Sequence, residues 1–164
     1  GYDNSAFNVE YFWDETSNKL WLLEINTRVS QSHSDIFEKV DGVSNQQVPI
    51  DLALGIDPRM PHREGKFPIA AKFFHRVFHG DAEVTRVPTS GEIEAIQRDF
   101  PGTWVLPQVH EGMRLSELLE QDSYSYALAY IYMGAPDQKT LLENYYAVLE
   151  RLNFEFTDVQ FVEE

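Results

Sequence analysis

Glu10, Glu24 and Asn26 are the residues of this chain whose types and spacing best suit chemistry. Residues 7–14 and 19–26 alternate strictly in polarity around the polar turn Glu15-Thr16-Ser17-Asn18, which predicts two antiparallel strands. Phe7, Val9, Tyr11 and Trp13 then share one face with Trp21, Leu23 and Ile25. Asn8, Glu10, Phe12 and Asp14 share the other with Leu20, Leu22, Glu24 and Asn26. Uniform faces require a loop of odd length, so the expected pairs are Glu10 with Glu24, Asn8 with Asn26, Phe12 with Leu22 and Trp13 with Trp21. Opposed carboxylates about 5 Å apart repel by roughly 3 kcal/mol at an effective dielectric of about 20. Three remedies exist: one carboxyl keeps a proton, the long side chains splay into solvent, or a divalent cation with oxygen ligands bridges them. The cation, Mg²⁺ or Mn²⁺, is the favoured expectation.

Arg28 lies two residues beyond Asn26 and, in an extended segment, on the same side as Glu24, with Ser30 and Ser32 following. A guanidinium beside a metal-bridged phosphate can strengthen its contacts as charge develops during phosphoryl transfer. The plainer alternative is a salt bridge from Arg28 to Glu24 or Glu10.

The elements that must position these groups can be read along the chain. A polar loop over residues 27–34 leads to a short helix over 35–40 and a turn at Asp41-Gly42. A second helix is expected from a Ser44/Gln47 capping box, with Val43 and Val48 as a hydrophobic staple, ending at Gly55 and distorted in its second turn by Pro49. The Pro-rich, charged stretch 57–66 reads as a connection. Beyond it, 67–78 and 83–87 look like strands joined at Gly80-Asp81, with Asp81 and Glu83 in a solvated turn. Thr89 and Glu92 can cap a helix over 92–100, stopped by Pro101-Gly102, and 103–110 and 124–133 return as strands. The last helix, 137–152, stacks Leu141, Leu142, Tyr145, Leu149 and Leu152 as a core stripe.

Composition narrows the function. The chain has 164 residues, 43% hydrophobic and 13% aromatic, enough for a cored domain or two small layers. A net charge of −14, with no cluster of Lys and Arg, argues against binding nucleic acid. No apolar run approaches membrane-span length, and no leader pattern of basic, apolar and small residues opens the sequence. The absence of cysteine removes disulfides and thiolate metal sites, and an intracellular, cytoplasmic location fits. His75 and His79 have a helical metal spacing, but Phe73, Phe74, Val77 and Phe78 around them favour a strand.

Asn8-Val9-Glu10-Tyr11-Phe12, followed by Leu22-Leu23-Glu24-Ile25-Asn26-Thr27-Arg28, resembles the C-terminal half of the ATP-grasp ligases, especially biotin carboxylase and the carbamoyl phosphate synthetase large subunit. The resemblance is dense over residues 7–55, where Asp41-Gly42-Val43 and Leu52-Ala53-Leu54-Gly55 also follow the family. It implies that Glu10, Glu24 and Asn26 hold the Mg²⁺ ions of ATP and that Arg28 faces the phosphorylated intermediate. Residues 70–152 more loosely resemble the carboxylase C-terminal subdomain, in which Arg76 aligns with an active-site arginine. Asn26-Thr27-Arg28 follows the carboxylase, whereas Arg28-Val29-Ser30-Gln31-Ser32 follows the synthetase. The carboxylase's catalytic glutamate falls at Ser32, which cannot serve as that base, and His33 matches a neighbouring histidine.

The implied fold is α+β: an antiparallel sheet with packed helices over residues 1–56, forming the C-terminal portion of an ATP-grasp domain, and a smaller α+β subdomain over 67–156. The implied complete enzyme uses Mg-ATP to activate a carboxylate or bicarbonate as an acyl phosphate for attack by an amine or other nucleophile. The N-terminal ATP-grasp lobe, with its Gly-rich loop and lysines, is missing before Asn8, so the isolated chain is expected to be inactive. The alternative is a non-catalytic acidic domain that associates as a homodimer through aromatic surface such as Tyr124, Tyr126, Tyr130 and Tyr132, which alternate along one strand and are commonly half-buried core. A hydrolytic metal site ranks last, because few His or Asp accompany the two glutamates.

Overall fold

A computed structural model describes residues 2–78, 80–118 and 125–157. His79 and Tyr124, and with them the zinc spacing and one of the four alternating tyrosines, lie outside the described residues. The chain divides into two units, Gly1–Lys66 and Phe67–Glu164. Every strand pairing is antiparallel, and the class is α+β as the sequence predicts.

In the first unit, β1 (Asn8–Asp14) and β2 (Lys19–Asn26) form a two-stranded sheet. Glu10 pairs with Glu24 and Asn8 with Asn26, as expected. The outer half differs: Tyr11 pairs with Leu22, Phe12 with Trp21 and Trp13 with Leu20, so the expected Phe12–Leu22 and Trp13–Trp21 pairs do not form. Turn chemistry is the reason. Asp14 accepts hydrogen bonds from the Thr16 and Ser17 backbone N–H groups and the Ser17 hydroxyl, while Asn18 takes a φ of +51° and its side-chain oxygen accepts from the Trp13 indole N–H. This closes an even loop with Asp14 opposite Lys19. A β-bulge next to Glu10, in which Leu23 is the extra residue, then restores the register that opposes the carboxylates.

After β2 come a 3₁₀ turn (Gln31–His33), α1 (Ser34–Asp41) and α2 (Gln47–Ala53). Gly42, with a φ of +87°, closes α1 by donating its N–H to the Glu38 carbonyl. The Ser44 capping box does not form. The helix begins at Gln47, capped by Gln46 without a side-chain bond; the Ser44 hydroxyl accepts from the Gln46 N–H and the Gln47 side chain donates to Asp51 instead. Pro49 therefore falls in the first turn of α2, where a missing N–H removes no intrahelical bond.

In the second unit, β3 (Ile69–Phe78), β6 (Ser125–Ala135) and β5 (Trp104–Pro107) form a sheet in the order β3-β6-β5. Although β4 (Val84–Arg86) follows β3 through Gly80-Asp81, the two do not pair; β4 joins β7 (Glu155–Phe156), a strand too short to announce itself in sequence. α3 (Ser90–Asp99) and α4 (Gln138–Arg151) complete the unit. Its main core gathers Ile96 from α3, Val105 from β5, Ala129, Ile131 and Met133 from β6, and Leu141 and Val148 from α4.

The Thr89–Glu92 capping box is present, with reciprocal bonds of 3.3 and 2.8 Å. The α4 stripe buries Leu141 and Leu152 and stacks Tyr145 on Phe73 at 4.0 Å, whereas Leu142 is 39% exposed and lies off the core. Tyr126, Tyr130 and Tyr132 are half-buried along β6. Asp81 is not a solvated turn residue: it accepts from the Arg114 guanidinium at 2.9 and 3.0 Å and from the Ser116 N–H and hydroxyl. Burial pushes its carboxyl up, but the Ser116 N–H, the guanidinium and the hydroxyl together hold it below its ordinary range. No described helix is long and apolar enough to cross a membrane.

Candidate metal and phosphate site

The hairpin register sets the site. Glu10 and Glu24 face each other across β1 and β2, with Asn26 opposite Asn8 two pairing steps away on the same face. The Asn26 side-chain N–H donates to the Glu10 carboxylate at 3.3 Å. This bond orients one carboxylate and leaves the amide oxygen of Asn26 as an acceptor, so the donors are two carboxylates and one carbonyl-type oxygen. A hard divalent cation of the Mg²⁺ kind takes such a set, completing its shell with water or phosphate oxygens. Glu10 and Glu24 are exposed and Asn26 half-buried, which leaves room for those outer ligands. Among the described residues no group of three His, Cys, Asp or Glu side chains gathers, at the hairpin or elsewhere.

Arg28 is exposed and donates to the Val29 carbonyl at 3.4 Å. Among the described residues it makes no salt bridge with Glu10 or Glu24, so the plainer alternative for this arginine is not realised. Arg76 belongs to the second unit, on β3. Its guanidinium donates to the Ser125 hydroxyl at 2.8 Å and lies 5.3 Å from the Phe74 ring centroid. His75, beside it, is partly buried against Phe154, and that burial lowers its pKa.

One constellation was not apparent in the sequence as a site. The Ser30 hydroxyl lies 2.6 Å from His33 Nδ1 and 3.4 Å from the Ser32 hydroxyl. Asn45 donates to the Ser30 carbonyl at 3.0 Å and accepts from the Ser34 hydroxyl at 2.8 Å, tying this turn to the start of α2. The i, i+3 spacing of Ser30 and His33 was the available signal, since one 3₁₀ turn places such residues above each other.

Residues 1–60 match the family model described as carbamoyl-phosphate synthase L chain, ATP binding domain. The chain resembles the C-terminal part of an ATP-grasp ligase. Solved structures extend the likeness in fold beyond those residues. The biotin carboxylase domain dimer of *Hydrogenobacter thermophilus* 2-oxoglutarate carboxylase, solved with MgADP, ADP and bicarbonate, superposes with a TM-score of 0.62 at 18% identity, covering 95% of this chain and 32% of that one. Biotin carboxylase from *Campylobacter jejuni* gives 0.64 at 12% identity, with 95% and 32% coverage. Urea carboxylase from *Kluyveromyces lactis* gives 0.60 at 18% identity, covering 94% of this chain and 13% of that one. The chain thus spans about a third of the length of the biotin carboxylase domains it resembles. No curated protein matches it in sequence.

Proposed function

We propose that this chain provides the metal- and anion-binding end of a cytoplasmic ATP-grasp ligase, which activates a carboxylate or bicarbonate as an acyl phosphate for attack by an amine or other nucleophile. The observation that carries this reading is the opposition of Glu10 and Glu24, fixed by the bulge and joined by the Asn26–Glu10 bond. Glu10, Glu24 and the Asn26 amide oxygen would hold Mg²⁺ or Mn²⁺. When bound, the metal neutralises and aligns the phosphates of ATP. Asn26 keeps the Glu10 carboxylate in place, so little reorganisation accompanies binding. Arg28 steadies the anionic intermediate, and Arg76 of the second unit is proposed as an anion-contacting arginine.

The hairpin also bears on what else the enzyme needs. Tyr11, Phe12, Trp21, Leu22 and Leu23 are all more than half exposed, on both faces of a two-stranded sheet. Strands apolar on both faces are those of a sheet covered on both sides. This supports a reading in which a further ATP-grasp lobe covers them, and the 164-residue chain alone is expected to show no ATP-dependent ligation. Turnover by the chain alone would remove that requirement.

The metal assignment is tested by Mn²⁺ titration followed by electron paramagnetic resonance. Glu24→Ala should weaken Mn²⁺ binding at least tenfold, and equal binding by both proteins would remove Glu24 from the site. The same exposed apolar residues support a second reading, an association domain, which predicts a concentration-dependent dimer whose formation is unchanged in Glu24→Ala.

A further inference from the structure

A cavity of about 430 Å³ lies inside the first unit, between the start of β1, the loop after β2, and helices α1 and α2. That volume suits a small organic molecule. Much of the wall is apolar, from Phe7, Val9, Val29, Phe37, Val48 and Met60. Ser5, Asn8, Ser30, His33 and Asn45 supply polar wall, and no Lys, Arg, Asp or Glu contributes to it.

The Asn8 side-chain oxygen is buried with no hydrogen-bond partner among the described residues. Both ends of the Asn45 amide are committed, to the Ser30 carbonyl and the Ser34 hydroxyl, so Asn45 is wall rather than ligand contact. The Ser30 hydroxyl can donate to Ser32 and accept from His33 Nδ1–H. In the tautomer in which Ser30 accepts from Nδ1–H, the lone pair is on His33 Nε2, which has no described partner. The cavity therefore offers a proton acceptor beside apolar wall and no cationic side chain for an anion. Arg28, which suits an anion, is absent from its lining.

We propose that this cavity receives the nucleophile of the reaction, a primary amine on an apolar body, with His33 as its proton acceptor and Ser30 as a positioning residue that holds the imidazole. The assignment rests on the ligase reading for its role, but not for the binding it predicts. In the reaction, the amine nitrogen bonds to the acyl carbon and the carbon–oxygen bond to phosphate breaks. Its electron pair leaves on phosphate, and the proton released from nitrogen passes to His33 Nε2.

The test uses the 164-residue chain without ATP or metal. *n*-Pentylamine is titrated while the His33 ring is followed by long-range ¹H–¹⁵N NMR, with pentanoate as the matched anion. Saturable binding that shifts His33 Nε2, at least tenfold tighter than pentanoate, is expected. His33→Phe should weaken it at least tenfold, and Ser30→Ala should change the ring's ¹⁵N tautomer signature as well as the affinity. Should His33→Phe fail to fold, His33→Gln, which keeps polarity but lacks the ring, provides the same comparison. Absence of a His33 shift, equal binding of pentanoate, or unchanged affinity in the folded His33 variant would overturn the proposal. Mn²⁺ titration of the same samples separates the two readings: lost metal binding with intact amine binding sinks only the ligase assignment, and the reverse sinks only this one.

Discussion

The two sheets dispose of their apolar residues in opposite ways. On β6, Ala129 and Ile131 are completely buried, beneath helices that belong to the same unit. On the β1–β2 hairpin, Leu23 is 65% exposed and Trp21 56%. The β3-β6-β5 sheet is thus held by side-chain burial, whereas the hairpin is held by its ladder and by the Asp14 turn. The proposed metal site is on the less buried of the two, where carboxylates can stay hydrated until a cation arrives.

The largest expected effect that sharpens this contrast is in the core. Ile131→Ala should cost about 3 kcal/mol through lost burial and the cavity left behind, whereas Leu23→Ala should cost about 0.5 kcal/mol or less. Urea unfolding followed by far-UV circular dichroism measures both, and equal losses would break the comparison. A smaller effect is expected at α3, where Thr89→Ala should cost about 1 kcal/mol by removing the N-cap.

The same cap has a pH signature. The Thr89 N–H, the Arg86 guanidinium and the Thr89 hydroxyl lower the Glu92 pKa from 4.5 to about 2. A lowered folded value means that the contribution is complete above pH 4.5 and is lost as pH falls towards about 2. Glu92→Gln should therefore flatten the acid limb of the second unit's stability over that window, while the hairpin is unaffected. The smallest effect concerns the carboxylate pair. Glu24→Gln removes a cross-strand like charge, so hairpin amides should exchange a few-fold more slowly without metal and gain no protection from added Mg²⁺, as read by hydrogen exchange.

What could be read in advance follows the range of the forces involved. Alternation over residues 7–14 and 19–26 predicted the opposition of Glu10 and Glu24 because period-two patterning is local. It missed the bulge because side-chain faces alone favoured an odd loop, whereas the Asp14 and Asn18 hydrogen bonds enforce an even one. The Thr89–Glu92 box was legible for the same local reason. The Ser44 box did not form, since Ser44 accepts from the nearer Gln46 N–H and the Gln47 side chain turns to Asp51 one turn on. The β4–β7 pairing joins segments more than sixty residues apart through two residues, and no local pattern encodes it. At the site, residue identity marked the carboxylates, but the cavity beside Ser30 and His33 emerges only when five separate segments converge.

The bulge at Leu23 works as a slip joint in the hairpin. Because it absorbs one residue of offset, the tip can obey its own turn while the base keeps Glu10 and Glu24 abreast. Lengthening the tip by one residue could thus be met by straightening the joint, leaving the distance between the two acids at the base unaltered.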